Sequence, residues 1–149
     1  MKLTLEPQET TELEVIIRGD LNDPQVSQII AALNAVRAIS RLFLYREGKA
    51  YLCPVDDILY FEASGGKIFA HTARDMLETQ YKLYELADML RGSGFIQINK
   101  SVIVNAHRVL SVEPEFSGNY TAALKDHNIR LTISRKYFKA FRDYVIKEL

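Results

Sequence analysis

Cysteine occurs once in these 149 residues, at Cys53. A single thiol excludes an internal disulfide framework and any cluster of cysteine metal ligands, and it fits a reducing cytoplasm. No run approaches the ~20 apolar residues that a membrane span requires. The opening MKLTLEPQET turns polar and acidic at once, which is not the pattern of a signal peptide. Repeats, linkers and low-complexity stretches are also missing. Net charge is zero, with 19 basic and 19 acidic side chains, which on its face argues against a polyanionic partner. What is there is ordinary for a soluble globular chain, 48% apolar and 26% charged, with room for one domain or one domain plus a short extension.

The neutral total conceals a gradient. Residues 1–24 carry two basic and six acidic side chains, residues 25–94 eight of each, and residues 95–149 nine basic against five acidic. A polyanion would therefore be met at the C-terminal end.

Pattern divides the chain near residue 40. ELEVIIRG (12–19) predicts a strand, and DPQVSQIIAALNAVRAI (23–39) predicts a helix with Asp23 as N-cap and Pro24 at its first position. Val26, Ile29, Ile30, Leu33 and Val36 share one stripe of that helix. Such a stripe must cover something, either its own domain or a second copy. From Arg41 short strands take over, with hairpins turning at REGK and SGGK. A short helix around 81–90 stops at GSG, and three strands follow, separated by SGN and DHN. A final helix begins after Ser134, its predicted cap, with Phe138, Phe141, Val145 and Leu149 on one face. The sum is an α+β domain, mostly antiparallel β, over 41–149, preceded by a strand–helix extension over 1–40.

No catalytic or metal-binding constellation emerges. His71, His107 and His127 lie far apart and lack ligand-type partners at i+4. SGGK fails as a phosphate loop, because Ile68 follows the lysine and Phe61 stands where the first glycine is required. No base accompanies a Ser or Cys at a familiar spacing. The expectation is a protein without enzymatic activity, cofactor or small-molecule substrate.

One stretch, FIQINKSVIVN (95–105), bears most on function. Ile96, Ile98, Val102 and Val104 fall on one face at a period of two, and so does Lys100. Either that lysine is paired inside a core, or the strand ends near Asn99 and the chain turns to present it. Ser64 and Lys67 occupy another predicted turn, and Arg135 and Lys136 open the last helix. An arginine there opposes the helix dipole by roughly 0.3–1 kcal/mol, a cost that a bound phosphate would offset.

With these residues in view, DILYFEASGGKIFAHT, LYELADML, FIQINKSVIVNAHRVLSVEP and LTISRKYFKAFRDYV resemble, in that order, the LytTR-type DNA-binding domain of bacterial transcriptional regulators, over roughly residues 44–147. The resemblance implies small antiparallel sheets with short helices in an elongated arrangement. It implies binding of duplex promoter DNA by loops that enter successive major grooves. By position it makes Lys100, in the family's H-R-S triplet, and Arg135, in its S-R motif, the DNA-facing residues. The hairpin from Ser64 to Lys67, with His71, would be a third contact. Asn99 could pair with adenine, Lys136 stands beside Arg135, and Ser101 and Asn105 match positions that shape the turn. QINKS departs from the arginine-rich pattern of many members, so Lys100 offers a point charge where a planar fork is common. Arg135 keeps the fork and is the better base reader.

The chain is most similar to stand-alone members, since residues 1–40 are too short for a receiver domain. The implied protein is a cytoplasmic regulator, a homodimer on paired sites with the helix at 24–39 as dimer or partner surface. A small membrane protein that sequesters it is a further implied partner. The competing class is a protein-interaction module that kept the fold and lost DNA.

Overall fold

The computed structural model describes residues 1–10, 13–126 and 128–149, so Glu12 and His127 fall outside the described residues. Helix α1 spans Pro24–Arg37, and the Asp23 carboxylate accepts the Gln25 N–H at 2.9 Å as its cap. The strand predicted over 12–19 is not formed: residues 13–19 have no ladder partner, and Leu13, Val15 and Ile16 are exposed. An alternating apolar pattern becomes a strand only where a sheet edge receives it.

The hairpin β1 (Arg41–Arg46) and β2 (Lys49–Pro54) follows, turning through Glu47 and Gly48 with φ of 51° and 76°. Next come β3 (Ile58–Ser64), β4 (Lys67–Thr72) and β5 (Met76–Thr79), then helix α2 (Leu83–Met89). β6 (Phe95–Gln97) and β7 (Val102–Asn105) complete an antiparallel sheet in the order β2-β1-β5-β4-β3-β7-β6. β8 (Val109–Pro114), β9 (Tyr120–Leu124) and β10 (Arg130–Ile133) form a second sheet, and α3 (Arg135–Lys147) closes the chain. The α+β, mostly antiparallel class is as the sequence predicts. β5 is unforeseen, because four residues are too few to display a period.

Strands β3, β6 and β7 serve two cores at once, because successive side chains of a strand point to opposite faces, and in β3 an irregularity between Ile58 and Tyr60 lets Leu59 and Phe61 serve different ones. On one face Phe61, Phe95 and Ile103 pack with Leu42, Leu44, Leu77, Leu86 of α2 and Leu90. On the other, Leu59, Ile96, Ile98, Val102 and Val104 pack with Ala122, Leu124 and Ile133 of the second sheet and Phe141 and Tyr144 of α3. Each fully buried Leu, Ile or Phe stabilises by about 1.5–3 kcal/mol. This double burial holds the second sheet and α3 in register with the first sheet.

The C-terminal end of α3 is anchored separately. Arg91 grips Glu148 through two nitrogens at 3.2 and 2.6 Å, and the Tyr144 hydroxyl donates to the Arg91 carbonyl. Helix α1 packs on the adjoining turn, where the Ser93 hydroxyl donates to the Ile39 carbonyl at 2.8 Å and a Cβ on Gly92 would stand 3.0 Å from the Asn34 carbonyl oxygen. Its stripe is only half-covered, and Val36 is exposed.

Candidate nucleic-acid interface

The puzzle of Lys100 resolves in the turn between β6 and β7. β6 ends at Gln97, Ile98 is still buried, and Lys100 stands exposed at the reversal. The turn is made by Asn99 rather than by Ser101: the Asn99 Oδ1 accepts the Ser101 N–H at 2.8 Å, a side chain mimicking a backbone turn. Asn105 is buried and structural, its amide donating to the Ile58 carbonyl at 3.0 Å and accepting from the His107 N–H at 3.1 Å.

Four hydrogen bonds, two within the backbone and two involving side chains, draw four turns into one row. The Ala63 N–H donates to the Ser101 carbonyl at 2.8 Å, so the β3–β4 tip stands beside the Lys100 turn. That tip reverses through Gly65 and Gly66 at φ of 59° and 78°, the doubly left-handed turn that matches strand twist and that glycine adopts without strain. On the other side, Asn99 Nδ2 donates to the Thr132 carbonyl at 2.8 Å and the Ser134 N–H donates to the Ile98 carbonyl at 2.9 Å. These bonds place the β10–α3 junction, with Arg135 and Lys136, against the Lys100 turn. The fourth turn, between β8 and β9, joins through Asn119, whose Oδ1 accepts the Arg135 N–H at 3.1 Å.

Five of the seven predicted site residues therefore share one end as exposed side chains: Ser64, Lys67, Lys100, Arg135 and Lys136. Asn99 is there too, but both ends of its amide are engaged within the protein. His71 is not with them. It lies four residues along β4 from Lys67, about 13 Å from the tip at strand rise. Its ring stacks on Tyr60 at 4.2 Å, and Nε2 lies 3.3 Å from Glu62 without hydrogen-bond geometry. Burial, and then Glu62, push the Tyr60 hydroxyl up.

Charge compensation differs along the row. Lys67 lies 3.7 Å from Glu78, an exposed pair of small energetic weight. Lys100, Arg135 and Lys136 pair with no carboxylate among the described residues. At the opposite end of the strands, Arg108 donates to the Asp56 carbonyl at 2.7 Å and lies 3.6 Å from Asp126. Lys125 there donates to the His107 carbonyl at 3.0 Å. Cys53 is buried, and burial pushes its thiol up, away from thiolate chemistry. Among the described residues no group of three or more His, Cys, Asp and Glu is placed to hold a metal, and no helix is long and apolar enough to cross a membrane.

Asn119 is the residue that sequence reasoning missed. SGN reads as a turn, but nothing in it links residue 119 to a helix that starts 16 positions later. Ser134 occupies the cap position without a side-chain bond, so the predicted cap is replaced by one from a distant turn.

Comparison with known proteins bears on the family and the fold. A family model described as the LytTr DNA-binding domain matches residues 48–146. The transcriptional regulatory protein YpdB of Escherichia coli O6:H1 (strain CFT073) is 28% identical over 118 residues, covering 79% of this chain and 48% of YpdB. The chain thus spans about half the length of that relative. An uncharacterised HTH-type transcriptional regulator of Staphylococcus aureus (strain NCTC 8325) is 28% identical over 133 residues, covering 89% of both. Among the described residues of this chain no two successive α-helices are joined by a short turn, since five strands separate each helix from the next. The solved LytTr DNA-binding domain of a Bacillus cereus protein superposes with a TM-score of 0.67 at 21% identity, over 72% of this chain and 98% of that one. That likeness shows the fold.

Proposed function

This chain belongs to the LytTr DNA-binding domain family, and from that premise we propose that it is a cytoplasmic transcriptional regulator that reads duplex DNA with the row of turns described above. The observation that carries the reading is the set of three exposed basic side chains, Lys100, Arg135 and Lys136, that have no carboxylate partner among the described residues and stand on turns tied together by backbone and Asn99 hydrogen bonds. Uncompensated cations on a rigid frame are what a phosphate backbone requires.

The roles divide by chemistry. Arg135 carries a planar fork that matches guanine O6 and N7, and it is assigned base readout. Lys100 and Lys136 are point charges suited to phosphates, with the Ser64 hydroxyl and Lys67 on the neighbouring tip adding contacts to the same backbone. Asn99 serves by holding the Lys100 turn against β10, and an adenine would have to displace its bonds to Thr132 and Ser101. A row of turns along one end of a sheet fits entry into successive major grooves, each about 12 Å wide. The half-covered stripe of α1, with Val36 exposed, supports a homodimer through α1 on paired sites.

The test is selection from a labelled pool of promoter fragments of the source genome at graded salt. Selective binding by the parent, weakened roughly 150-fold by a fourfold rise in salt as for about four neutralised phosphates, is the expected result. A well-folded protein that selects nothing and shows no salt dependence would overturn it and favour a protein-interaction module.

A further inference from the structure

The first residue of α3 is the proposed base reader, and its position is not set by its own neighbours. Ser134 has the extended backbone of a cap, φ −70° and ψ 149°, but its side chain makes no capping bond. The Arg135 N–H is instead satisfied by Asn119 Oδ1 at 3.1 Å, reaching across from the β8–β9 turn. That turn is itself closed on all sides. The Gly118 N–H donates to the Glu115 carbonyl at 3.1 Å, the Glu115 N–H to the Asn119 carbonyl at 2.9 Å, and the Asn119 N–H to the Ser117 hydroxyl at 3.3 Å. The Glu115 carboxylate accepts from the hydroxyls of both Ser117 and Thr121.

The same turn also seats the arginine side chain. A Cβ built on Gly118 would lie 3.4 Å from Arg135 Nη1 and 3.6 Å from Cδ, so the arginine runs over bare glycine backbone. Gly118 has φ of 89°, which other residues adopt only under strain. Just beyond the turn, the Tyr120 ring stacks on Phe138 of α3 at 3.7 Å and 12°, fixing strand to helix. Backbone cap and side-chain seat converge on Arg135, and the ring stack fixes the helix that carries it. A long flexible cation held this way loses less freedom on binding and presents its fork in one direction.

We infer that Asn119 and Gly118 are positioning residues that aim Arg135, so that the β8–β9 turn sets the sharpness of base discrimination without touching a base. This rests on the reading of Arg135 as base reader, and the experiment separates the two. Affinities are measured for a preferred duplex, for its single-base variants and for an unrelated duplex, using the full chain. Four proteins are compared: parent, Arg135→Ala, Asn119→Ala and Asn119→Asp. Asn119→Ala is expected to flatten discrimination by roughly 3- to 10-fold at the same base pair that Arg135→Ala flattens, with the unrelated duplex and the salt slope unchanged. Hydrogen exchange at the Arg135 amide should rise in parallel. Asn119→Asp keeps an acceptor of equal capping strength and should hold parent-like preference within about threefold. Discrimination untouched by Asn119→Ala while Arg135→Ala removes it overturns the inference alone. An equal loss on every duplex with a lowered melting temperature makes Asn119 merely structural, and an aspartate variant as flat as the alanine one refutes the capping argument. Arg135→Ala without effect at any base pair overturns the base-reader assignment itself.

Discussion

Both ends of the long strands carry basic side chains on turns, but their surroundings differ. Arg108 and Lys125 at one end spend their donors on the Asp56 and His107 carbonyls, and Asp126 stands 3.6 Å from the guanidinium. Lys100, Arg135 and Lys136 at the other end have turns that are fully bonded and charges that are not. Residue type is the same in the two places. What separates a structural cation from a binding one is whether the fold has already answered its charge, because an answered charge must break a bond before it can meet a phosphate. Helix α3 repeats the contrast along its own axis, with the Arg135 charge unanswered by any carboxylate among the described residues and the Glu148 charge answered by Arg91.

The comparison breaks most directly at Arg135. Arg135→Ala should cost roughly 10- to 100-fold on a preferred duplex and much less on an unrelated one, read by titration of both. An equal loss on the two would reduce Arg135 to a phosphate contact.

At the clamped end, burial and then the Glu148 charge push the Tyr144 hydroxyl up to about 12. The folded state thus favours the protonated phenol. That contribution is whole below pH ~10, the usual tyrosine value, and is lost as pH rises through about 12. Urea midpoints should therefore fall across that window, by an amount on the order of 2 kcal/mol, and Tyr144→Phe should remove most of the fall. A Phe variant with the same alkaline loss would assign the titration to another group.

A smaller effect is expected at Lys100. Lys100→Ala should weaken preferred and unrelated duplexes alike by about threefold, with the slope of log K against log salt shrinking by about 0.9. Selective loss on the preferred duplex would show that this lysine reads a base.

The smallest effect belongs to the answered end. Arg108→Met should leave both DNA affinities within about twofold while lowering the melting temperature by roughly 2–4 °C, through the lost bond to Asp56. A large loss of DNA binding there would abolish the distinction between the ends.

Much of this arrangement is legible in the chain, for reasons that can be named. Periods of two, the single glycine of REGK and the glycine pair of SGGK exposed the hairpins, since those signals are local. Lys100 announced its turn by breaking an apolar row. β5 stayed hidden because four residues cannot display a period, and residues 13–19 look like a strand because pattern cannot say whether an edge will receive them. Asn99 looked like a possible base reader because its amide's bond to the Thr132 carbonyl, across 33 positions, exists only once β10 is in place.

The sequence by itself determined the α+β class, the turn positions and the basic candidates, because propensity, periodicity and side-chain chemistry are carried within a few residues of one another. Only the tertiary structure decided that four turns stand in one row, that Asn119 caps the helix bearing Arg135, and that His71 lies away from both. Those facts depend on strand register and on two cores sharing β3, β6 and β7, and register is a property of paired strands rather than of any one of them.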